Sequence, residues 1–159
     1  MSGLRYGFWI LLVSLAAPCA DTPIVPHTVC EILHDLSMFE SGPVAALGRY
    51  SFRDDGRSLN EQTCAGIAGP PALRLTEDPK DGPKAPGNFE LDGVALNQKF
   101  AQVRKGTTLG KFRFGSTDYD RWAVVYGMVQ PPSGAAAGKA AAELRFRGDG
   151  VVLFLTSDR

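Results

Sequence analysis

Val29, Ile32, Leu33 and Leu36 fall at i, i+3, i+4 and i+7, the spacing of one apolar helix stripe. Thr28 and Glu31 stand where a capping box would start that helix, and Ser41-Gly42-Pro43 where it would stop. Residues 44–52 read as a strand, Asp54-Asp55-Gly56 as a turn, and residues 57–63 as a more polar return strand. An irregular stretch over 64–71 leads to a short alternating strand over 72–76. Residues 77–88 are dense in proline, glycine and charge and read as a surface loop. Asp92 is expected to cap a second helix, with Leu96, Phe100 and Val103 on one face and Gly106 as its left-handed stop. Residues 111–114 alternate. Residues 122–129 are apolar on both faces, which predicts a central strand with a bulge or bend at Gly127. Residues 130–141 form a loop of small residues. Residues 143–147 alternate, Gly148-Asp149-Gly150 is expected to reverse the chain, and residues 151–155 to close a terminal hairpin.

Ahead of this pattern lies a different one. Arg5 precedes an apolar run from Phe8 to about Ala17, and the small residues Ala16, Ala17 and Ala20 precede the polar Asp21. That is the order of a cleavable secretion signal over residues 1–20. The run of roughly 10 residues is too short to cross about 30 Å of hydrocarbon. An uncleaved anchor, or a lipid on Cys19, is the alternative; Pro18 stands where a small residue would normally precede a lipidated cysteine. Either would leave the protein membrane-anchored at the cell envelope. Otherwise residues 21–159 form one exported β-rich domain, periplasmic or secreted, large enough for its own core. No second stretch is long enough to span a membrane.

The chain carries 17 basic and 17 acidic residues. A balance this close to neutral argues against a nucleic-acid or anionic-membrane binder, whose footprint is basic. The partner is not legible; an envelope protein or a small molecule fits the composition.

Several short strands with two helices predict an α+β, mainly β fold. The expected form is a small OB-like barrel, or a strongly bent antiparallel sheet, with one disulfide. Ser41-Gly42-Pro43-Val44-Ala45-Ala46-Leu47-Gly48-Arg49-Tyr50 resembles the opening strand of OB-fold-like exported bacterial domains, where a glycine lets the strand bend around the barrel. Residues 122–129 are similar to a later strand of that kind. The "V-C-E-I-L" start at Val29–Leu33 and "R-Y-S-F-R" at Arg49–Arg53 also resemble small exported bacterial proteins of unknown function. The resemblance implies a fold and an exported location, and no catalytic residues.

Once the signal is removed, Cys30 and Cys64 are the remaining cysteines. In an oxidising compartment they are expected to pair. Cys30 and His34 also share a helix face, the raw material of a cysteine nucleophile with its base. With His27 and Cys64 they would make a zinc set. Both alternatives need reduced thiols, so the disulfide is favoured, with no metal and no catalytic residue assigned.

Tyr119 and Trp122 are candidates to stack a sugar or base, as OB-type surfaces do. Asp118 and Asp120 supply too few oxygens for Ca²⁺. Arg49 and Arg53, with Arg57, Arg74, Arg145 and Arg147, are candidates for an anion-binding face. Arg147-Gly148-Asp149 spells an adhesion tripeptide, but turn chemistry explains it. No G-x-S-x-G, H-E-x-x-H, Walker or dinucleotide glycine pattern occurs, so no cofactor is expected. The function these features favour is a non-catalytic binding or interaction module. A Cys30/His34 enzyme and a tethered envelope protein are the alternatives.

Overall fold

The computed structural model describes residues 22–111, 115, 117–133, 140–148 and 152–156. The expected signal segment, the alternating run over 112–114, residues 134–139 of the small-residue loop and Asp149-Gly150 lie outside the described residues.

Thr28 joins two elements: it ends β1 (Pro26–Thr28) and caps α1 (Val29–His34). Its hydroxyl accepts from the Glu31 N–H at 3.2 Å, while the Glu31 carboxylate accepts from the Thr28 N–H at 2.9 Å. Two donors left over by the helix are thereby satisfied reciprocally. The expected single helix is interrupted at Asp35, with φ −136° and ψ 56°, and resumes as α2 (Leu36–Phe39). On the far side of that break, Leu36 and Phe39 pack against the core. With α3 (Gly93–Gly106) there are three helices among the described residues, where two were expected.

β2 (Pro43–Arg53) is long, and the turn at Gly56, with φ 122°, leads into β3 (Gly56–Asn60). The later strands are β4 (Ala72–Glu77), β5 (Tyr119–Gln130), β6 (Ala142–Phe146) and β7 (Val152–Leu155). The order β2-β3-β4-β6-β5 closes on itself because β2 and β5 also pair antiparallel, from Pro43 opposite Met128 to Phe52 opposite Tyr119. The fold is therefore a closed five-stranded barrel, mainly β and OB-like in form. Two pairings, β1 with β2 and β4 with β6, are parallel, so the sheet is mixed rather than wholly antiparallel.

The expected terminal hairpin is corrected. β6 and β7 both run antiparallel to β5, β6 along Gly127–Gln130 and β7 along Trp122–Val125. They point the same way, so β6 and β7 follow one another along one edge of β5 and do not pair as a hairpin. The reason is closure: β6 already has β4 on one side and β5 on the other. No edge of it remains for a hairpin partner.

The strand alternation sorts two cores. Val44, Ala46 and Tyr50 of β2 and Ala123, Val125 and Val129 of β5 face the barrel interior, where Val29, Ile32 and Leu33 of α1 join them. Ala45, Leu47, Trp122, Val124 and Tyr126 face outward beneath α3, against Val103, Phe100 and Leu96. Both faces of β2 and β5 are thus covered, as the two-faced apolar pattern requires. At Gly127 the expected bend is a close approach of backbones: a Cβ there would stand 2.5 Å from the Arg145 carbonyl oxygen.

Gly106 does not supply the left-handed stop expected of it. Positive φ occurs at Gly56, Gly66, Gly69 and Gly115. α3 instead runs into Thr107 in extended conformation. The Thr107 hydroxyl accepts from the Gln62 N–H at 2.9 Å, so a tertiary contact anchors the helix exit. Among the described residues no helix is long and apolar enough to cross a membrane.

Candidate functional site

The start of β5 carries two kinds of side chain on opposite faces, because strand neighbours alternate. Tyr119 lies opposite Phe52 in the ladder, and Tyr50 is two residues along on the same face. The rings stack: Phe52 and Tyr119 are 5.5 Å apart at 12°, and Tyr50 and Tyr119 are 6.0 Å apart at 27°. Phe154 meets Tyr50 edge-on at 5.5 Å. Tyr50 is buried, whereas Tyr119 and Phe154 are 38% and 50% exposed. Burial, reinforced by a hydrogen bond with Tyr119, pushes the Tyr50 hydroxyl up to about 12. A buried aromatic stack therefore ends in two solvent-facing rings.

The opposite face is polar and fully engaged. Asp120 accepts from Arg53 Nη2 at 2.6 Å and from the Gly110 N–H at 2.5 Å, and also from the Ser51 hydroxyl. Burial opposes its ionisation, yet these donors outweigh burial and hold the carboxyl below its ordinary range. Arg53 donates further to the carbonyls of Phe52 and Tyr119. Arg49 donates to Asn60 Oδ1 at 2.8 Å and to the Thr108 carbonyl at 2.7 Å. Asn60 in turn donates to Ser51 and Ser58. These contacts fasten the segment after α3 to the barrel. Of the four candidate ligand contacts, then, Arg49 binds a backbone carbonyl and the Asn60 amide oxygen, and Arg53 binds backbone carbonyls and the Asp120 carboxylate. Trp122 is buried, edge-on to Phe100 at 5.6 Å. Tyr119 alone of the four combines an exposed ring with a cleft.

That cleft, of about 1060 Å³, is bordered by Tyr119 and Leu109, by the cations Lys111 and Arg121, and by the Arg53–Asp120 pair. Sequence reasoning missed Tyr50, Phe52 and Phe154, the rings grouped behind Tyr119, which among the described residues is the one aromatic lining the cleft. The i, i+2 spacing of Tyr50 and Phe52 was the available signal; Phe154 had none, because its place depends on β7 pairing with β5.

Cys30 and Cys64 are joined by a disulfide, with Cα atoms 5.4 Å apart. Glu61 stands beside it. Its carboxylate accepts from the Cys30 N–H at 2.9 Å and from the Thr28 hydroxyl and Val29 N–H. Burial nevertheless pushes the carboxyl above its ordinary range. The two sulfurs and a Glu61 oxygen lie within 4.8 Å of one another. Neither histidine belongs to this group. His27 instead lies 3.7 Å from Glu31 and edge-on to Phe39. Its imidazole is held below the usual value by burial and then by the nearby Lys99. His34 is exposed on α1. Asp118 and Asp120 form no such group with a third donor among the described residues.

No protein-family model matches this chain, and neither a curated protein nor a solved structure matches it.

Proposed function

We propose that the protein is an exported, non-catalytic binding module that holds a saccharide chain at the aromatic cleft where β5 begins. The observation that carries this reading is the Phe52–Tyr119–Tyr50 stack, which is buried at Tyr50 and open at Tyr119. A ring fixed by its neighbours loses little entropy when a ligand packs on it. OB-type barrels present such surfaces to oligosaccharides and oligonucleotides. A net charge near zero favours the uncharged class. The disulfide and the apolar N-terminal segment are compatible with export. A Cys30/His34 enzyme would need the sulfur that Cys64 occupies.

The test is nuclear magnetic resonance titration of the disulfide-bonded protein with a chitin-derived oligosaccharide, beside a single-stranded oligonucleotide. Shifts centred on Tyr119, Leu109 and Arg121, abolished by Tyr119→Ala, are expected for the sugar. Shifts with the oligonucleotide alone, or sugar binding that Tyr119→Ala leaves unchanged, would overturn the proposal.

A further inference from the structure

We infer that Cys30, Cys64 and Glu61 form a Zn²⁺ site when the disulfide is reduced, so that this corner of the barrel holds either an S–S bond or a metal ion. The donor set comprises two sulfurs and a carboxylate oxygen within 4.8 Å of one another. Zinc takes thiolates at about 2.3 Å and carboxylate oxygens at about 2.0–2.2 Å, so two sulfurs on one ion stand roughly 3.8 Å apart. The bonded sulfurs are closer than that, so on reduction they must move apart to admit the ion, with Glu61 already beside them. Cys30 is fixed on α1, and its backbone N–H is held by Glu61 at 2.9 Å. Cys64 lies in the irregular stretch between β3 and β4. Its side chain can therefore swing away from Cys30 without unpairing a strand. Three protein ligands leave an open fourth position for water.

The chemistry balances. A dithiol reductant gives two electrons and two protons to the S–S bond and leaves as its own disulfide. Zn²⁺ then forms two Zn–S bonds and releases the two thiol protons to solvent. A disulfide oxidant that takes those two electrons, with two protons from solvent, and leaves as its own dithiol re-forms the S–S bond and expels the ion. The sequence offers His27 for such a site; the tertiary structure puts Glu61 there instead.

The test uses Co²⁺ as a spectroscopic stand-in on the mature chain reduced by a phosphine, which ends as its oxide with an oxygen from water. One equivalent of Co²⁺ is expected to give thiolate-to-cobalt charge-transfer and tetrahedral bands, displaced by Zn²⁺; the oxidised protein should give neither. Glu61→Gln keeps an oxygen for the Cys30 N–H, and near-ultraviolet circular dichroism of its oxidised form checks that it folds. Loss of a direct ligand should weaken Zn²⁺ binding at least as much as loss of an outer-shell partner, roughly tenfold or more. Absence of the bands in the reduced natural protein would overturn the inference, as would equal affinity in a folded Glu61→Gln variant.

Discussion

Arg53 Nη2 stands 2.6 Å from Asp120 Oδ1, on a carboxylate whose side chain is 1% exposed. The pair joins the end of β2 to the start of β5, and the remaining Asp120 contacts reach Ser51 and the Gly110 backbone. Removing the carboxylate takes an acceptor from Arg53 Nη2, the Ser51 hydroxyl and the Gly110 N–H, although Arg53 keeps the Phe52 and Tyr119 carbonyls. Asp120→Ala is expected to lower unfolding stability by roughly 3 kcal/mol. Urea denaturation measures it. A loss below about 1 kcal/mol would show that the network contributes little.

Acid should unfold the protein through the same kind of group. Hydrogen bonds and cations, working against burial, hold the carboxyls of Asp120, Glu31 and Glu143 below their ordinary range. Each binds its proton more weakly folded than unfolded. Their stabilisation is present above about pH 4 and is lost as pH falls through the folded-state values. Glu61, pushed up by burial, acts in the opposite sense and favours the acid side. The melting temperature is expected to drop below pH 4, and to drop less in Asp120→Asn, which has already lost one such group.

Alkali should act through Tyr50. Its hydroxyl is raised from 10.0 to about 12, so the folded chain keeps a proton that the unfolded chain releases. Stability is whole below about pH 10 and falls progressively as pH rises towards the folded value. Ultraviolet phenolate titration should show a late-ionising tyrosine that Tyr50→Phe removes.

Gly127→Ala places a methyl 2.5 Å from the Arg145 carbonyl oxygen and 3.0 Å from Leu144 Cγ. Both belong to β6, which is locked between β4 and β5 and cannot retreat without opening the barrel. A loss of about 2 kcal/mol or more is expected. Hydrogen exchange should show it first at the β5–β6 amides.

Breaking the Cys30–Cys64 bond frees a loop with a sequence separation of 34. On the loop-entropy argument this costs about 4 kcal/mol. Cys30→Ser with Cys64→Ser should therefore shift the urea midpoint strongly. An unchanged midpoint would mean that α1 is held by Val29, Ile32 and Leu33 without the bridge.

Local chemistry was legible. The Thr28–Glu31 box, the turn at Gly56, the cap at Asp92 and the two-faced apolar pattern of β5 all appear where residue spacing put them. Each is decided within a few residues, by hydrogen bonds or alternation that the chain carries with it. The pairing of Cys30 with Cys64 was expected from the cysteine count together with the signal-like N-terminal pattern.

What failed to show in the sequence is what barrel closure decides. β7 lies beside β5 because both edges of β6 are taken, and that places Phe154 against Tyr50. Arg49 and Arg53 look like free cations in a strand, yet the fold brings Thr108, Asn60 and Asp120 to them. Trp122 falls beneath α3, and Glu61 arrives beside two sulfurs on another element. Hydrophobic period specifies which face a residue takes; only the three-dimensional closure of the sheet specifies what that face meets.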